Sequence, residues 1–198
     1  MTPEARIVGV FVGAVENRWP EKPPSAIRKS AVEEPVEINF SGLVGDAQAD
    51  LNVHGGLDKA LHHYSADHYR SWRMELGRED LVPGGFGENI STSGWTEEAV
   101  CIGDIVALGS ATVQISQGRQ PCWKLNAYTE NERMAWLFQK TGRTGWYYRV
   151  LAPGMVIQGD VATLIERPCR EWSVRRVTAA RLTRVVAIEE AKTLAELP

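Results

Sequence analysis

One short segment, residues 117–126 (QGRQPCWKLN), holds the side chains best suited to chemistry. Cys122 lies between two basic residues, Arg119 and Lys124, and positive charge favours the thiolate, which attacks electrophiles and binds soft metals. Pro121 fixes its own φ and so gives Cys122 a defined direction after a predicted strand. Cys122 is therefore a candidate metal ligand or nucleophile. A buried, unreactive cysteine is the alternative that this segment leaves open.

The cysteine set as a whole indicates the compartment. Three cysteines stand far apart without a CxxC pair, which makes a poor disulfide framework, so we expect a reducing environment. We interpret Cys101 and Cys169 as structural cysteines. The first ten residues lack the pattern of a secretory signal, and no apolar run approaches the roughly 20 residues of a membrane span. We therefore expect a cytoplasmic protein without membrane association.

The four histidines fall within fifteen positions, which invites comparison with a zinc site. Their spacing matches no HExxH motif, and no cysteine lies close by to complete a compact Cys/His site. His62 and His63 are adjacent, so in a strand their side chains point to opposite faces. We predict no dedicated zinc site. His54 differs because it precedes Gly55 and Gly56, where backbone can approach a ligand closely, so it either binds an anion or holds a loop.

Charge is unevenly distributed along the chain. The formal net charge is −3, yet residues 118–149 carry six Lys/Arg against two Asp/Glu, and residues 167–184 carry six against one. A chain that is acidic overall does not coat nucleic acid, so we expect no stable nucleic-acid binding. The basic segment around Cys122 is either an anion site or solvated surface charge. The glycine-rich loop 83–89 is a second anion candidate, although it matches neither the P-loop nor GxGxxG.

The elements that would position this chemistry are mostly short strands punctuated by glycine. Val113 and Ile115 alternate with polar residues, and the Gly109-Ser110 pair before them predicts a tight hairpin. Many short strands with few helices indicate an antiparallel barrel or sandwich with peripheral helices, an α+β fold that is mainly β. The predicted strands are 6–12, 26–30, 36–40, 59–64, 104–108, 111–117, 145–151 and 156–165, with a turn at Pro153-Gly154.

Two predicted helices interrupt these strands. Ser65 is the predicted N-cap of a helix that ends at Gly77. Thr129 and Glu132 form a TxxE capping box for a second helix, which ends at Gly142. Both helices carry apolar residues at helical spacing, so we expect them to pack against the core.

The C-terminal part of the chain differs in composition. Residues 172–196 contain no glycine and are mostly compatible with helix. We therefore divide the chain into a barrel domain, residues 1–167, and a short helical tail, residues 168–198.

Four segments taken together resemble the MOSC family, named for the C-terminal domain of molybdenum cofactor sulfurase, and within it the stand-alone bacterial YiiM-like branch. The segments occur in family order and cover most of residues 40–165. None is decisive alone, but their ordered combination is specific. They are GDAQADLNVHGGLDKALHHY (45–64), PGGFGENIST (83–92), CIGDIVALGSATVQISQGRQPCWKL (101–125) and GRTGWYYRVLAPGMVIQGD (142–160).

The resemblance implies a closed, mostly antiparallel MOSC-type β-barrel with peripheral helices and a molybdenum–pterin cofactor. Cys122 matches the cysteine that binds molybdenum in the family. Arg119 and Lys124 match basic positions around that cysteine, and the pterin phosphate gives the basic segment a partner. The segment after Glu171 resembles an incomplete form of the three-helix tail of this branch. The other candidates for cofactor contact are His54, Gly55, Gly56, Glu88 and Asn89.

The activity characterised in the family implies reduction of N-hydroxylated compounds, including hydroxylaminopurine-type base analogues, to amines. Molybdenum suits this reaction because it accepts oxygen from an N–O bond and is then reduced by two electrons. The sequence has no flavin or nicotinamide pattern, so we expect electrons from a separate reductase. It also lacks a counterpart of the PLP-binding desulfurase domain. The alternatives are a non-catalytic carrier of the cofactor or of sulfur, and a metal-free nucleophile at Cys122 with His54 as base.

Overall fold

The structure is a computed structural model that describes residues 4–50 and 55–198. Within these ranges it contains short strands, five α-helices and one 3₁₀ helix, Leu57–Lys59. The strands are β1 (Glu4–Val12), β2 (Ser30–Ala31), β3 (Val36–Asn39), β4 (Gly42–Leu43), β5 (Leu61–Ser65), β6 (Ile90–Ser93), β7 (Ile105–Leu108), β8 (Ala111–Gly118), β9 (Trp146–Ala152), β10 (Gly154–Val156) and β11 (Val161–Glu166). The helices are α1 (Asp67–Leu76), α2 (Trp123–Thr129), α3 (Met134–Thr141), α4 (Val174–Thr183) and α5 (Ile188–Ala195).

Seven of the described strands close into a barrel. Their order is β1-β11-β7-β8-β9-β5-β6, and β6 pairs with β1 to complete the ring. Neighbouring strands are antiparallel except for β5 and β6, which are parallel. The predicted fold, a mainly β, mostly antiparallel closed barrel with peripheral helices, is confirmed. The parallel pair is a feature that the hydrophobic pattern does not reveal.

The strands bury one hydrophobic cluster. Val113 and Ile115 of β8 are fully buried and alternate with half-buried residues, as expected for a strand with one face in the core. A small second sheet of order β10-β3-β4 adds Val36 and Ile38 to the same cluster. The barrel and this small sheet therefore share a core.

A second, aromatic cluster lies where α1 and α3 meet the loop before β6. The rings of Trp72 and Phe138 stack with centroids 5.4 Å apart, and those of Tyr69 and Phe86 stack at 4.9 Å. Tyr64 of β5 belongs to the same cluster. Offset aromatic packing of this kind is directional as well as hydrophobic, so it fixes both helices relative to β5.

Glycines end the hairpin and helices as predicted. Gly109, with φ of +61°, turns β7 into β8, and Leu108 pairs with Ala111 across the turn. Gly77 and Gly142 are left-handed C-caps of α1 and α3, with φ of +64° and +68°. A residue without Cβ adopts this backbone region at little cost, which is why these positions can be recognised from sequence.

The predicted helix starts are wrong. Ser65 is the last residue of β5, and the N-cap of α1 is Ala66. Thr129 ends the short helix α2, where its hydroxyl donates to the carbonyl of Leu125, and the N-cap of α3 is Arg133. Strand pairing with β6 continues to the end of β5 and overrides the local capping preference of serine. Helix α2 itself is not predicted by the pattern.

Three strand predictions also need correction. Residues 26–30 form a strand only at their end, in the two-residue β2. The expected turn at Pro153-Gly154 instead begins β10, which pairs with β3. The predicted strand 156–165 is interrupted between β10 and β11. Short strands that pair with distant segments carry little local signal, which accounts for these errors.

The C-terminal tail is helical, as predicted, and packs on the barrel. Ser173 is the N-cap of α4 and accepts a hydrogen bond from the backbone N–H of Arg176. Val174 is buried in the barrel core, and Cys101 forms a β-bridge with Ser173. The domain boundary near residue 168 stays a prediction. Within residues 4–50 and 55–198, none of the helices is long and apolar enough to cross a membrane.

Candidate functional site

A cleft opens to solvent where β8 ends and α2 begins, with about 680 Å³ of empty space including its mouth. Its walls come from segments that are far apart in the chain: residues 25–29, residues 46–50, β5, the turn before β6 and the segment after β8. Four predicted site residues line it together, namely Asn89, Arg119, Cys122 and Lys124.

Cys122 is the thiol of this cleft. It precedes α2 in an extended conformation, with φ of −127°, and is the N-cap residue of the helix. The backbone N–H of Arg119 donates to the carbonyl of Gly145 at 3.0 Å, which fixes the direction of the chain as it leaves β8. The thiol is unbonded to another cysteine and half-buried, so a ligand in the cleft can reach it.

Arg119 brings a buried positive charge to the same cleft. The residue is only 7% exposed, and its guanidinium lies over the ring of Phe138, 5.8 Å from the centroid. Among the described residues, its Nη1 is buried without a hydrogen-bond partner. An unsatisfied buried donor costs about 1–3 kcal/mol, and more when it is charged. Nη1 can thus donate to an acceptor that none of the described residues supplies.

Lys124 adds a second cation, and its position is fixed by the backbone. Its Nζ donates to the carbonyl of Pro24 at 3.2 Å, and the side chain is largely buried along the cleft. Arg119 precedes Cys122 in the chain and Lys124 follows it, yet both side chains line the same cleft.

A buried ion pair that the sequence analysis missed forms another wall. Lys29 and Asp46 are joined at 2.5 Å, and both side chains are less than a tenth exposed. Burial lowers the pKa of Lys29, while the charge of Asp46 opposes that shift. Asn89 donates from Nδ2 to Asp46 at 2.8 Å, and Gly13 donates to the same carboxylate from its backbone. Asn89 thus lines the cleft and also orients the ion pair.

The two adjacent histidines have opposite environments, as the strand alternation predicts. His62 lines the cleft, its Nδ1 lies 3.2 Å from the carbonyl of Gly87, and its Nε2 is buried without a partner among the described residues. Burial, and next the charge of Arg119, hold the pKa of His62 well below its usual value. The sequence analysis did not identify His62 as a site residue.

His63 faces the core instead. Its ring nitrogens contact the hydroxyl of Thr92 at 2.8 Å and that of Tyr148 at 3.0 Å, and the ring stacks on Trp146. Burial lowers the pKa of His63 to about 3. Both polar atoms of this side chain are satisfied inside the fold.

Glu88 is placed differently from the expectation of a cofactor contact. Its carboxylate is fully buried away from the cleft and accepts hydrogen bonds from the Tyr69 hydroxyl and from the backbone N–H groups of Gly84 and Phe86. Burial raises its pKa. Since all of these donors belong to α1 and the glycine-rich loop, Glu88 anchors that loop, and its neighbours Gly87 and Asn89 reach the cleft in its place.

The remaining candidates lie before β5. His54 is outside the described residues. Gly55 and Gly56 are described and do not line the cleft; Gly56 has φ of +97° and precedes the 3₁₀ helix. Further along, Tyr147 of β9 lines the cleft with its ring 5.3 Å from that of His62, another residue that the sequence analysis missed. Nothing in the local sequence distinguishes Tyr147 from its aromatic neighbours.

The donor set of the cleft limits the metals that it can hold. Within the described parts of the chain, no group of three His, Cys, Asp or Glu side chains could bind a metal ion. Cys122 supplies one sulfur donor, and the surrounding charges favour an anionic ligand.

The sequence and fold both match a known family. The profile of the MOSC domain matches residues 50–163. The chain belongs to the MOSC domain family. It is 44% identical over 162 residues to Protein YiiM of Escherichia coli (strain K12), a match that covers 81% of this chain and 72% of that protein. A protein named Reductase from Gibberella moniliformis is 40% identical over 177 residues, and this chain spans only 31% of its length.

Solved structures show the same MOSC architecture over nearly the whole chain. The crystal structure of YiiM from Geobacillus stearothermophilus superimposes with a TM-score of 0.84 at 31% identity, covering 98% of this chain and 92% of that one. The crystal structure of YiiM from Escherichia coli gives a TM-score of 0.80 at 31% identity, covering 98% and 85%. The barrel described above is therefore the YiiM-like form of the MOSC fold.

Proposed function

We propose that this MOSC protein binds a molybdenum–pterin cofactor and uses it to reduce N-hydroxylated compounds, of the hydroxylaminopurine type, to amines. The observation that carries the proposal is that one cleft holds both the free thiol of Cys122 and the buried guanidinium of Arg119, whose Nη1 has no hydrogen-bond partner among the described residues. A thiolate binds a soft metal, and a guanidinium donates charge-assisted hydrogen bonds to an anionic group. A ligand that carries both a metal and an anionic group would use both side chains.

The residues present fit such a cofactor. A cofactor that carries its own sulfur ligands needs a single cysteine from the protein, and Cys122 is that donor. Its phosphate needs charge-assisted hydrogen bonds, and Arg119 Nη1, which is unpaired within residues 4–50 and 55–198, can make one. Lys124 adds a second positive charge to the wall of the cleft, where Lys29 is already paired with Asp46.

The reaction converts R–NHOH, two electrons and two protons into R–NH₂ and water. When bound, the cofactor would supply an oxygen acceptor that is reduced again by two electrons. The chain itself would bind and orient the cofactor: Arg119 and Lys124 would hold its anionic end, and Cys122 would supply the sulfur ligand to its metal. Asn89 and the ion pair behind it keep that wall rigid.

Electrons must come from outside the described fold, and we propose a separate reductase protein as donor. The relative named Reductase lends support, since this chain corresponds to less than a third of that protein. Its remaining length leaves room for additional domains.

The test is to purify the protein anaerobically from cells that make the cofactor and to measure molybdenum, pterin and reduction of a hydroxylaminopurine with a chemical electron donor. We expect molybdenum near one per chain and turnover to the amine. Cys122→Ser should lose molybdenum and turnover while its melting temperature stays nearly unchanged, because Cys122 is half-buried and belongs to neither buried hydrophobic cluster. Cys169→Ser, at another half-buried free cysteine, is the matched control and should behave as the wild type.

Each outcome discriminates among functions. Molybdenum bound without turnover would indicate a cofactor carrier. Folded protein that takes up no molybdenum would argue against both the reductase and the cofactor carrier, and would favour sulfur or nucleophile chemistry at Cys122.

A further inference from the structure

His62 and His63 provide an internal comparison. Both are buried in β5, and both are kept neutral by that burial. His63 satisfies both ring nitrogens with Thr92 and Tyr148, whereas His62 satisfies only one within the described parts of the chain. The unsatisfied nitrogen belongs to the histidine that lines the cleft. Most buried polar atoms in native structures have a partner, and among those left unpaired within the described residues, His62 Nε2 and Arg119 Nη1 belong to residues that line the cleft.

The tautomer of His62 follows from its contact with Gly87. The atom opposite Nδ1 is a backbone carbonyl oxygen, which can only accept, so Nδ1 carries the proton. In a neutral imidazole, Nε2 is then an acceptor. Arg119 and Lys29 are the charged groups that disfavour a second proton on the ring, and His63 acts in the same direction. His62, a residue of the cleft wall, thus carries a buried acceptor.

We propose that His62 Nε2 accepts a hydrogen bond from an N–H or O–H group of the nitrogen heterocycle that occupies the cleft, and so selects ligands that present a donor there. The inference rests on the proposed function for the identity of that heterocycle, which is either the pterin of the cofactor or the N-hydroxylated base. His62 is a binding residue in both cases. It complements Arg119, which offers a donor to the same ligand.

The first test uses the unloaded wild-type protein and requires no turnover. Long-range ¹H–¹⁵N NMR of the histidine rings should show His62 protonated at Nδ1 and unprotonated at Nε2. Adding a hydroxylaminopurine to this protein, or comparing it with the cofactor-loaded form, should shift the Nε2 signal of His62 and leave His63 unchanged. A proton on Nε2 in the unloaded protein, or no shift in either comparison, overturns the proposal whether or not the protein is a reductase.

The second test separates the two sources of the donor with variants. His62→Leu removes the acceptor, His62→Gln restores one through its side-chain oxygen, and His63→Gln is the control on the opposite face of β5. If the pterin donates the hydrogen bond, His62→Leu lowers molybdenum occupancy about tenfold. If the substrate donates it, molybdenum occupancy stays unchanged and the KM for the substrate rises about tenfold. His62→Gln should recover most of either loss. Unchanged occupancy and KM in His62→Leu would contradict the proposal.

Discussion

At the scale of single residues, the cleft is marked by two polar atoms that the described structure leaves unpaired, Nη1 of Arg119 and Nε2 of His62. One is a donor on a permanent charge, and the other is an acceptor on a neutral ring. Such atoms oppose folding unless a ligand or ordered water completes them. Their presence beside the free thiol of Cys122 is the reason to regard this cleft, rather than the histidine cluster, as the site.

Arg119→Met should separate binding from stability. Methionine keeps much of the side-chain volume over Phe138 but removes a buried charge whose Nη1 has no partner among the described residues, so the melting temperature should hold or rise. Cofactor occupancy, measured as molybdenum per chain, should fall by about tenfold to a hundredfold, since a charge-assisted hydrogen bond is lost.

The matched control for that prediction is Arg143→Met. Arg143 also lies over an aromatic ring, that of Trp72 at 4.5 Å, but its guanidinium is paired with Glu75 outside the cleft. This change should lower stability slightly and leave molybdenum occupancy intact. Full occupancy in Arg119→Met would remove Arg119 from cofactor binding.

At the scale of elements, β5 is the strand that connects core and site. Its alternation directs His62 to the cleft and His63 into the packed interior, where it bonds β6 and β9 neighbours. The turn before β6 performs a comparable task, because Glu88 holds it from behind while Asn89 faces Asp46. Each element thus has one residue that secures it and an adjacent one that serves the cleft.

His63 should make the fold sensitive to acid. Its pKa falls from the usual 6.5 to about 3 on folding. Between these two values, His63 is protonated in the unfolded chain but neutral in the native state. This single group should reduce the free energy of unfolding by about 1.4 kcal/mol per pH unit, up to about 5 kcal/mol near pH 3.

His63→Gln tests that slope. Glutamine does not titrate and can still reach Thr92 and Tyr148, so urea unfolding between pH 4 and pH 7 should give a shallower dependence of stability on pH than the wild type. The variant should be less stable at pH 7, since stacking on Trp146 is lost. Parallel pH curves for the two proteins would show that His63 does not bear this titration.

At the scale of the whole molecule, the helical tail packs on the strand that leads into the site. Helix α4 lies against β8, and a Cβ on Gly118 would overlap the hydroxyl of Thr178. That hydroxyl is buried without a partner among the described residues. Gly118 immediately precedes Arg119, so the close approach of α4 helps to set the end of β8 at the cleft.

Gly118→Ala should therefore destabilise the protein by about 1–3 kcal/mol through overpacking. Thr178→Ala removes the overlapping atom, so the double variant should recover much of the loss in urea unfolding, giving a favourable coupling energy between barrel and tail. Strictly additive single effects would mean that α4 does not contact β8 as described.

The sequence alone determined a good part of this picture. Short apolar and β-branched runs, with period-two alternation at Val113 and Ile115, predicted most barrel strands. The glycines predicted the hairpin at Gly109 and the ends of α1 and α3, and the flanking charges singled out Cys122. Ordered motifs predicted the MOSC family, which the comparisons confirm. These features are local, or repeat along the chain, and can therefore be recognised without coordinates.

What only the tertiary structure decided is the composition of the cleft. No sequence motif marks four of the residues that line the cleft with Cys122. They share the cleft because the closed barrel brings distant segments of the chain together, and they are Lys29, Asp46, His62 and Tyr147. Glu88 and Asn89 are adjacent in the chain, yet the Glu88 carboxylate is buried and fully hydrogen-bonded in the interior, whereas Asn89 lines the cleft. Whether a buried polar atom is paired depends on all of its neighbours in space, which the sequence does not give. The sequence therefore identifies Cys122 as a candidate, whereas the residues that share its cleft are known only from the tertiary structure.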